Sequence, residues 1–136
     1  MNKGFTFQIR IYYEDTDFSG NTYHGSYVKF FERARTEWLR ELNIHHHELA
    51  KIGLAFAVSK MEIDFLKASH IDDLLEVTTK IISLTGARIM LEQAITCNGE
   101  NIAKANVVVA VINSDGKATR LPKHWRSILL PHLKTN

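Results

Sequence analysis

Residues 12–35 read "YYEDTDFSGNTYHGSYVKFFERAR" and hold Tyr13, Asp17 and His24, three side chains able to do carbonyl chemistry. A carboxylate such as Asp17 can attack a carbonyl carbon itself or deprotonate a water. His24 falls where the pattern turns helical, and a helix start offers unpaired backbone N–H groups and the positive end of a dipole. Such donors hold a developing oxyanion, one of them contributing about 3 kcal/mol in well-placed acyl-transfer sites. Tyr13, at the end of an expected strand, brings a hydroxyl. The set suits acyl transfer or hydrolysis. Each residue also has a structural use. Asp17 precedes a turn whose backbone N–H groups it can satisfy, and His24 can simply begin a helix. Spacing alone favours the structural roles.

A metal centre is the rival chemistry. "EDTD", His24 and the run His45, His46, His47 supply many oxygen and nitrogen donors. Adjacent histidines on a helix point in different directions, so the three cannot all grip one ion. They are read as surface or helix-end residues, and no metal is expected. Cys97 is the only cysteine and sits in an alternating apolar run. It is read as a core thiol rather than a nucleophile.

These groups need a scaffold. "FQIRIYY" (7–13) alternates as a half-buried strand does, with Phe7, Ile9, Ile11 and Tyr13 on one face. "DFSGN" (17–21) is turn chemistry around Gly20. From residue 24 to about Asn43, Tyr27, Phe30, Phe31, Ala34, Trp38 and Leu42 recur at helical spacing. Strands follow at 54–66, 74–85, 87–96 and 101–113, with "NG" at 98–99 marking a tight hairpin. Met61, Ile63 and Phe65 share a face. Pro122 opens a short final helix that Pro131 closes. One strand, one long helix and a meander of strands make an α+β fold, the helix lying on the concave face of an antiparallel sheet. The run 107–112 is apolar on both faces, so its second face needs cover from another subunit.

The 136 residues fit a single domain, 1–136. A balance of 17 basic against 15 acidic residues argues against a nucleic-acid partner. A lone cysteine fits a reducing compartment. The first residues lack the apolar core of a signal peptide, and no window approaches the about 18 apolar residues of a membrane span. The expected location is the cytoplasm, free or peripheral to the inner membrane.

The stretch "IRIYYEDTDFSGNTYHGSYVKFFERARTEWL", with "SKMEIDFLKASHIDDLLEVTTKI" downstream, resembles the YbgC-type acyl-CoA thioesterases. These are the Tol–Pal-associated branch of the hot-dog-fold family that also includes 4-hydroxybenzoyl-CoA thioesterases. The resemblance covers nearly the whole chain. It implies a hot-dog fold, one long helix wrapped by a curved antiparallel sheet, and hydrolysis of an acyl-CoA to free acid and coenzyme A. By resemblance Asp17 is the catalytic nucleophile or general base, and His24 and Tyr13 are the other catalytic positions. The backbone N–H near His24 or Gly25 polarises the thioester carbonyl. The family is dimeric or tetrameric with sites between subunits, and it needs no metal or redox cofactor.

Two stretches depart from the family pattern. "DFSG" stands where "DAGG" is common, so bulky Phe18 reshapes the acyl pocket, and "GNTYH" replaces the more apolar "GVVYH". No particular acyl group is carried over. Lys60 and Arg88 are candidates for the coenzyme A phosphates, each on a strand able to reach a neighbouring subunit, with an ordinary solvated charge the slightly favoured reading of both. Two other functions fit the same residues. A hot-dog hydratase would add water across an enoyl-CoA. A binding module would hold acyl carrier protein or an envelope partner, with hydrolysis incidental.

Overall fold

A computed structural model of the chain describes residues 4–133. Strand β1 (Phe5–Arg10) leads through a 3-10 turn (Tyr13–Asp15) to helix α1 (His24–Glu41). Helix α2 (His46–Lys51) follows, then β2 (Ala55–Phe65), β3 (Leu74–Leu84), β4 (Arg88–Cys97) and β5 (Glu100–Ile112). Helix α3 (Lys123–Leu129) and a 3-10 turn (Leu130–His132) complete the described chain.

The strands form one antiparallel sheet in the order β1-β3-β4-β5-β2. β3, β4 and β5 are successive hairpins, as expected from their turns. Asn98 and Gly99 both take positive φ, 51° and 82°, which is what the tight β4–β5 turn requires. β2 does not join that meander. Residues 66–73 carry the chain past β5 and β4 to reach β3, leaving β2 paired with β5 at the sheet edge.

Alternation then sets the two faces. Leu75, Val77, Thr79 and Ile81 of β3, Ile89, Leu91, Gln93 and Ile95 of β4, and Ala103, Ala105, Val107, Val109 and Val111 of β5 are buried toward α1. The helix answers with Tyr27, Phe30, Phe31, Ala34 and Trp38, the stripe expected from its period, all buried. Register shifts at Val58/Lys60, Ile81/Ser83 and Ile95/Thr96 add local twist and curl the sheet around the helix. The shift in β2 keeps Val58 and Met61 on the inner face although they are three residues apart. On the outer face of β5, Val108 and Ile112 stay half-buried and Ala110 is buried.

Three local expectations change. β1 ends at Arg10 rather than Tyr13, because the Asp15 carboxylate accepts a hydrogen bond from the Tyr12 N–H at 2.8 Å and turns the chain. His45, His46 and His47 lie at a helix end as expected, but the helix they open is a second one, α2, which follows α1 after Asn43 takes positive φ and Ile44 donates back to the Leu39 carbonyl at 2.8 Å. Pro131 begins no clean stop: the final helix passes into the 3-10 turn around it.

Candidate active site

The site is built where the 3-10 turn and the turn at 17–20 meet the first turn of α1. Thr16 and Thr22 pair as an antiparallel bridge, and Asp17 N–H donates to the Asn21 carbonyl at 2.8 Å. The Asp15 carbonyl accepts from the Tyr23 N–H at 2.8 Å and from the Ser26 hydroxyl at 3.1 Å. The Asp17 turn is thereby tied to the helix start through backbone on both sides of it.

Asp17 is fully exposed. Its Oδ1 accepts from the Ser19 N–H at 2.9 Å and from the Ser19 hydroxyl. These bonds hold its pKa below the ordinary carboxylate value, the Ser19 hydroxyl contributing most and slight desolvation opposing it. Asp17 thus has the turn role expected of it, its carboxylate satisfying donors of the turn.

His24 is the first residue of α1, and Tyr23 before it is extended, with no side-chain cap. The N–H groups of His24 and Gly25 have no acceptor among the described residues, which leaves donors for a substrate carbonyl. The His24 ring packs on Tyr23 at 4.4 Å and meets the edge of Phe65 at 6.1 Å. A Cβ on Gly25 would lie 2.5 Å from Tyr23 Cε2, so glycine there lets the Tyr23 ring sit over the first turn.

Behind the site, buried Ser69 joins two hydroxyls, Thr22 Oγ1 at 2.7 Å and Tyr27 OH at 2.6 Å, while its carbonyl accepts from the Thr22 N–H. This chain of hydroxyls clamps the 66–73 crossover against the loop that carries Asp17. Sequence reasoning does not single out Tyr23, Phe65 or Ser69 as site residues. Tyr23 adjoins His24 in the chain, and Phe65 lies on the strand face that alternation predicts, but only the crossover of the chain brings Phe65 and Ser69 to the helix start.

Other expected residues lie elsewhere. Tyr13 falls in the 3-10 turn, 84% exposed, and its ring meets neither Asp17 nor His24. Phe18 is at the turn tip, wholly exposed, and is not in the wall of the cavity beneath α1. Lys60 lies opposite Val108 and Arg88 opposite Ala110. That register puts both on the outer sheet face, away from α1, with Lys60 3.5 Å from Glu62. Within one chain neither reaches Asp17. Cys97 is half-buried, and burial followed by the charges of Asp73 and Glu100 pushes its thiol pKa up, against a nucleophilic role. The rings of His45 and His47 do come together, at 5.5 Å, because His45 precedes α2 rather than lying within it. No group of three or more histidine, cysteine, aspartate or glutamate side chains among the described residues is placed to hold a metal ion. None of the described helices is long and apolar enough to cross a membrane.

The family model of the thioesterase-like superfamily matches residues 12–129. The acyl-CoA thioesterase YbgC of Haemophilus influenzae is 42% identical over 136 residues, covering 98% of this chain and 99% of that protein. The chain belongs to the YbgC thioesterases. A second YbgC relative, the acyl-CoA thioester hydrolase of Escherichia coli, is 40% identical over 122 residues, covering 88% of this chain and 90% of the relative. The crystal structure of a probable thioesterase from Bartonella henselae superposes with a TM-score of 0.83 at 44% identity, covering 88% of this chain and 99% of that one. The helix wrapped by a curved antiparallel sheet is the hot-dog fold that the opening motif implied, here in a YbgC-type chain.

Proposed function

We propose that this chain hydrolyses acyl-CoA thioesters, with Asp17 as the reacting carboxylate and the His24 and Gly25 N–H groups as oxyanion donors. The observation that carries the reading is the juxtaposition itself: an anionic carboxylate on a turn tied to a helix start whose first N–H groups lack acceptors. The thioester oxygen would accept from those N–H groups as it gains charge. A carboxylate held below its ordinary pKa stays charged, as both direct attack on the thioester and deprotonation of water require, and direct attack is the simpler route. In that route an Asp17 oxygen bonds to the carbonyl carbon and the C–S bond breaks. The thiolate leaves and takes a proton from solvent, and water then cleaves the mixed anhydride to acid and carboxylate. Water is the only co-reactant.

Several features support completion of the site by a second copy of the chain. Tyr12, Tyr13 and Phe18 on the chain before α1, and Phe65 beside His24, are exposed aromatic side chains, and β2 is an unpaired edge on one side. Lys60 and Arg88 would then act on coenzyme A phosphates across the assembly. Coenzyme A and acyl carrier protein present the thioester on the same kind of pantetheine arm, so either can be the carrier.

The test is thiol release from short-chain, long-chain and aromatic acyl-CoAs by wild type and Asp17→Asn. Loss of about 10²–10⁴-fold in rate by a folded variant is expected. Equal rates would make Asp17 a turn residue only.

A further inference from the structure

A second feature lies along the same helix. A cavity of about 430 Å³ opens between the C-terminal half of α1 and the inner sheet face, lined by Trp38, Leu39, Phe56, Val58, Leu91 and Val109 among others. Its volume and its mostly apolar wall suit a small-molecule ligand. Two basic side chains enter this wall, Arg35 and His46, and the guanidinium is the permanent cation of the two. Arg35 Nη1 donates to the Gln93 Oε1 at 3.0 Å, and no other hydrogen bond or ion pair of its guanidinium is formed among the described residues. Glu32, also in the wall, is not within ion-pair distance of Arg35 and accepts from the Thr36 hydroxyl instead. Burial lowers the pKa of Arg35, with the charge of Glu32 opposing that shift, so holding this cation here costs the protein stability. A half-buried guanidinium with donors to spare is an anion-recognition group, and Arg matches carboxylate geometry in particular.

We propose that this cavity binds an aliphatic carboxylate, its chain among Leu39, Phe56, Val58, Leu91 and Val109 and its head on the free N–H groups of Arg35. Two sources carry that chemistry. One is a free fatty acid, the kind of product the proposed reaction releases. The other is the far carboxylate of a dicarboxylic acyl-CoA whose thioester lies at Asp17, and this alternative rests on the thioesterase reading. Geometry permits it. His24, Val28, Glu32, Arg35 and Leu39 follow one side of α1, and His24 is eleven residues from Arg35, about 16 Å along the helix. Helical side chains lean toward the helix start, and Arg35 donates to Gln93, which itself bonds the Phe31 carbonyl one turn earlier. Phe65 meets His24, while Phe56 and Val58 share the cavity wall with Arg35 and Leu39, so the two ends of β2 flank the two ends of this side.

The experiment is a calorimetric titration of the intact protein with dodecanoate and, separately, 1-dodecanol, repeated on Arg35→Gln and Arg35→Lys. Dodecanoate is expected to bind wild type at least about tenfold more tightly than the alcohol, with that advantage lost in Arg35→Gln and partly kept in Arg35→Lys. The acid-against-alcohol comparison on wild type stands even if a variant fails to fold. A kinetic arm compares decanoyl-CoA with the monothioester of decanedioic acid. Preference for the latter that vanishes in Arg35→Gln assigns the carboxylate to the substrate, whereas inhibition by free acid without such preference assigns it to the product. Equal binding of acid and alcohol, or absence of binding by both together with no preference in the kinetic arm, overturns the proposal. The titration needs no turnover, so failure of the carboxylate site and failure of Asp17 as the reacting group are distinguishable.

Discussion

Gln93 is the polar residue on which the docking of α1 depends. It is 1% exposed on the inner face of β4. Its Nε2 donates to the Phe31 carbonyl at 3.1 Å and to Thr79 Oγ1 at 2.9 Å, and its Oε1 accepts from Arg35. Gln93→Leu keeps the volume, so no large cavity term arises. The Phe31 carbonyl retains its bond within the helix and loses little. Thr79, wholly buried, is left with an unpaired hydroxyl, costing about 1–3 kcal/mol. Arg35 loses its one hydrogen bond, but it borders the cavity, where water can replace part of that bond. The net expected loss is about 2–4 kcal/mol. Urea unfolding at fixed protein concentration would read it as a lower midpoint with an unchanged slope. The double variant Gln93→Leu/Thr79→Val should be more stable than Gln93→Leu alone, because it removes the orphaned hydroxyl. A Gln93→Leu midpoint equivalent to less than about 0.5 kcal/mol, or a Thr79→Val change that adds a further full penalty, would refute the reasoning.

The remaining predictions concern the site and the end of α1. Because Asp17 is held below the ordinary carboxylate value, kcat/KM should stay high until pH falls below that value and then drop as the carboxylate is protonated. Ser19→Ala removes the largest cause of the lowering, so this acid limb should move to higher pH in a pH–rate profile; an unmoved limb would separate Asp17 from the rate. Gly25→Ala forces the Tyr23 ring away from the first turn and from His24. Thiol-release assays should show a rate loss between about tenfold and 10²-fold with the fold retained by circular dichroism. Asn43 sits at φ 61°, so Asn43→Val should lower stability by about 1 kcal/mol in thermal melts, while Asn43→Gly should be neutral or stabilising.

Periodicity carries most of the secondary structure. The stripe Tyr27, Phe30, Phe31, Ala34 and Trp38 is legible because helical spacing is local and every member is buried. The hairpins β3–β4–β5 are legible for the same reason, their turns being coded by Gly86 and by Asn98–Gly99. Local signals fail where a distant or polar partner decides the outcome. β1 stops early because the Asp15 carboxylate captures the Tyr12 N–H, and nothing in the alternation of "FQIRIYY" reveals that. The position of β2 is likewise hidden: its alternation names an inner face but not the neighbour it will pair with.

The same division runs through the site. The residue order alone determined that Asp17 would lie in a turn and His24 at a helix start, since turn chemistry and the change of period are properties of consecutive residues. The opening motif likewise pointed to the family. Tertiary structure decided what those residues face. The crossover from β2 to β3 brings Phe65 and Ser69 to the helix start, while the sheet register turns Lys60 and Arg88 away from it. The curl of the sheet leaves room under α1 for the cavity that Arg35 enters. The physical reason is one of range. Backbone preference and side-chain period act over a few residues, whereas a cavity or a shared site needs chain segments far apart in sequence to pack against one helix at once.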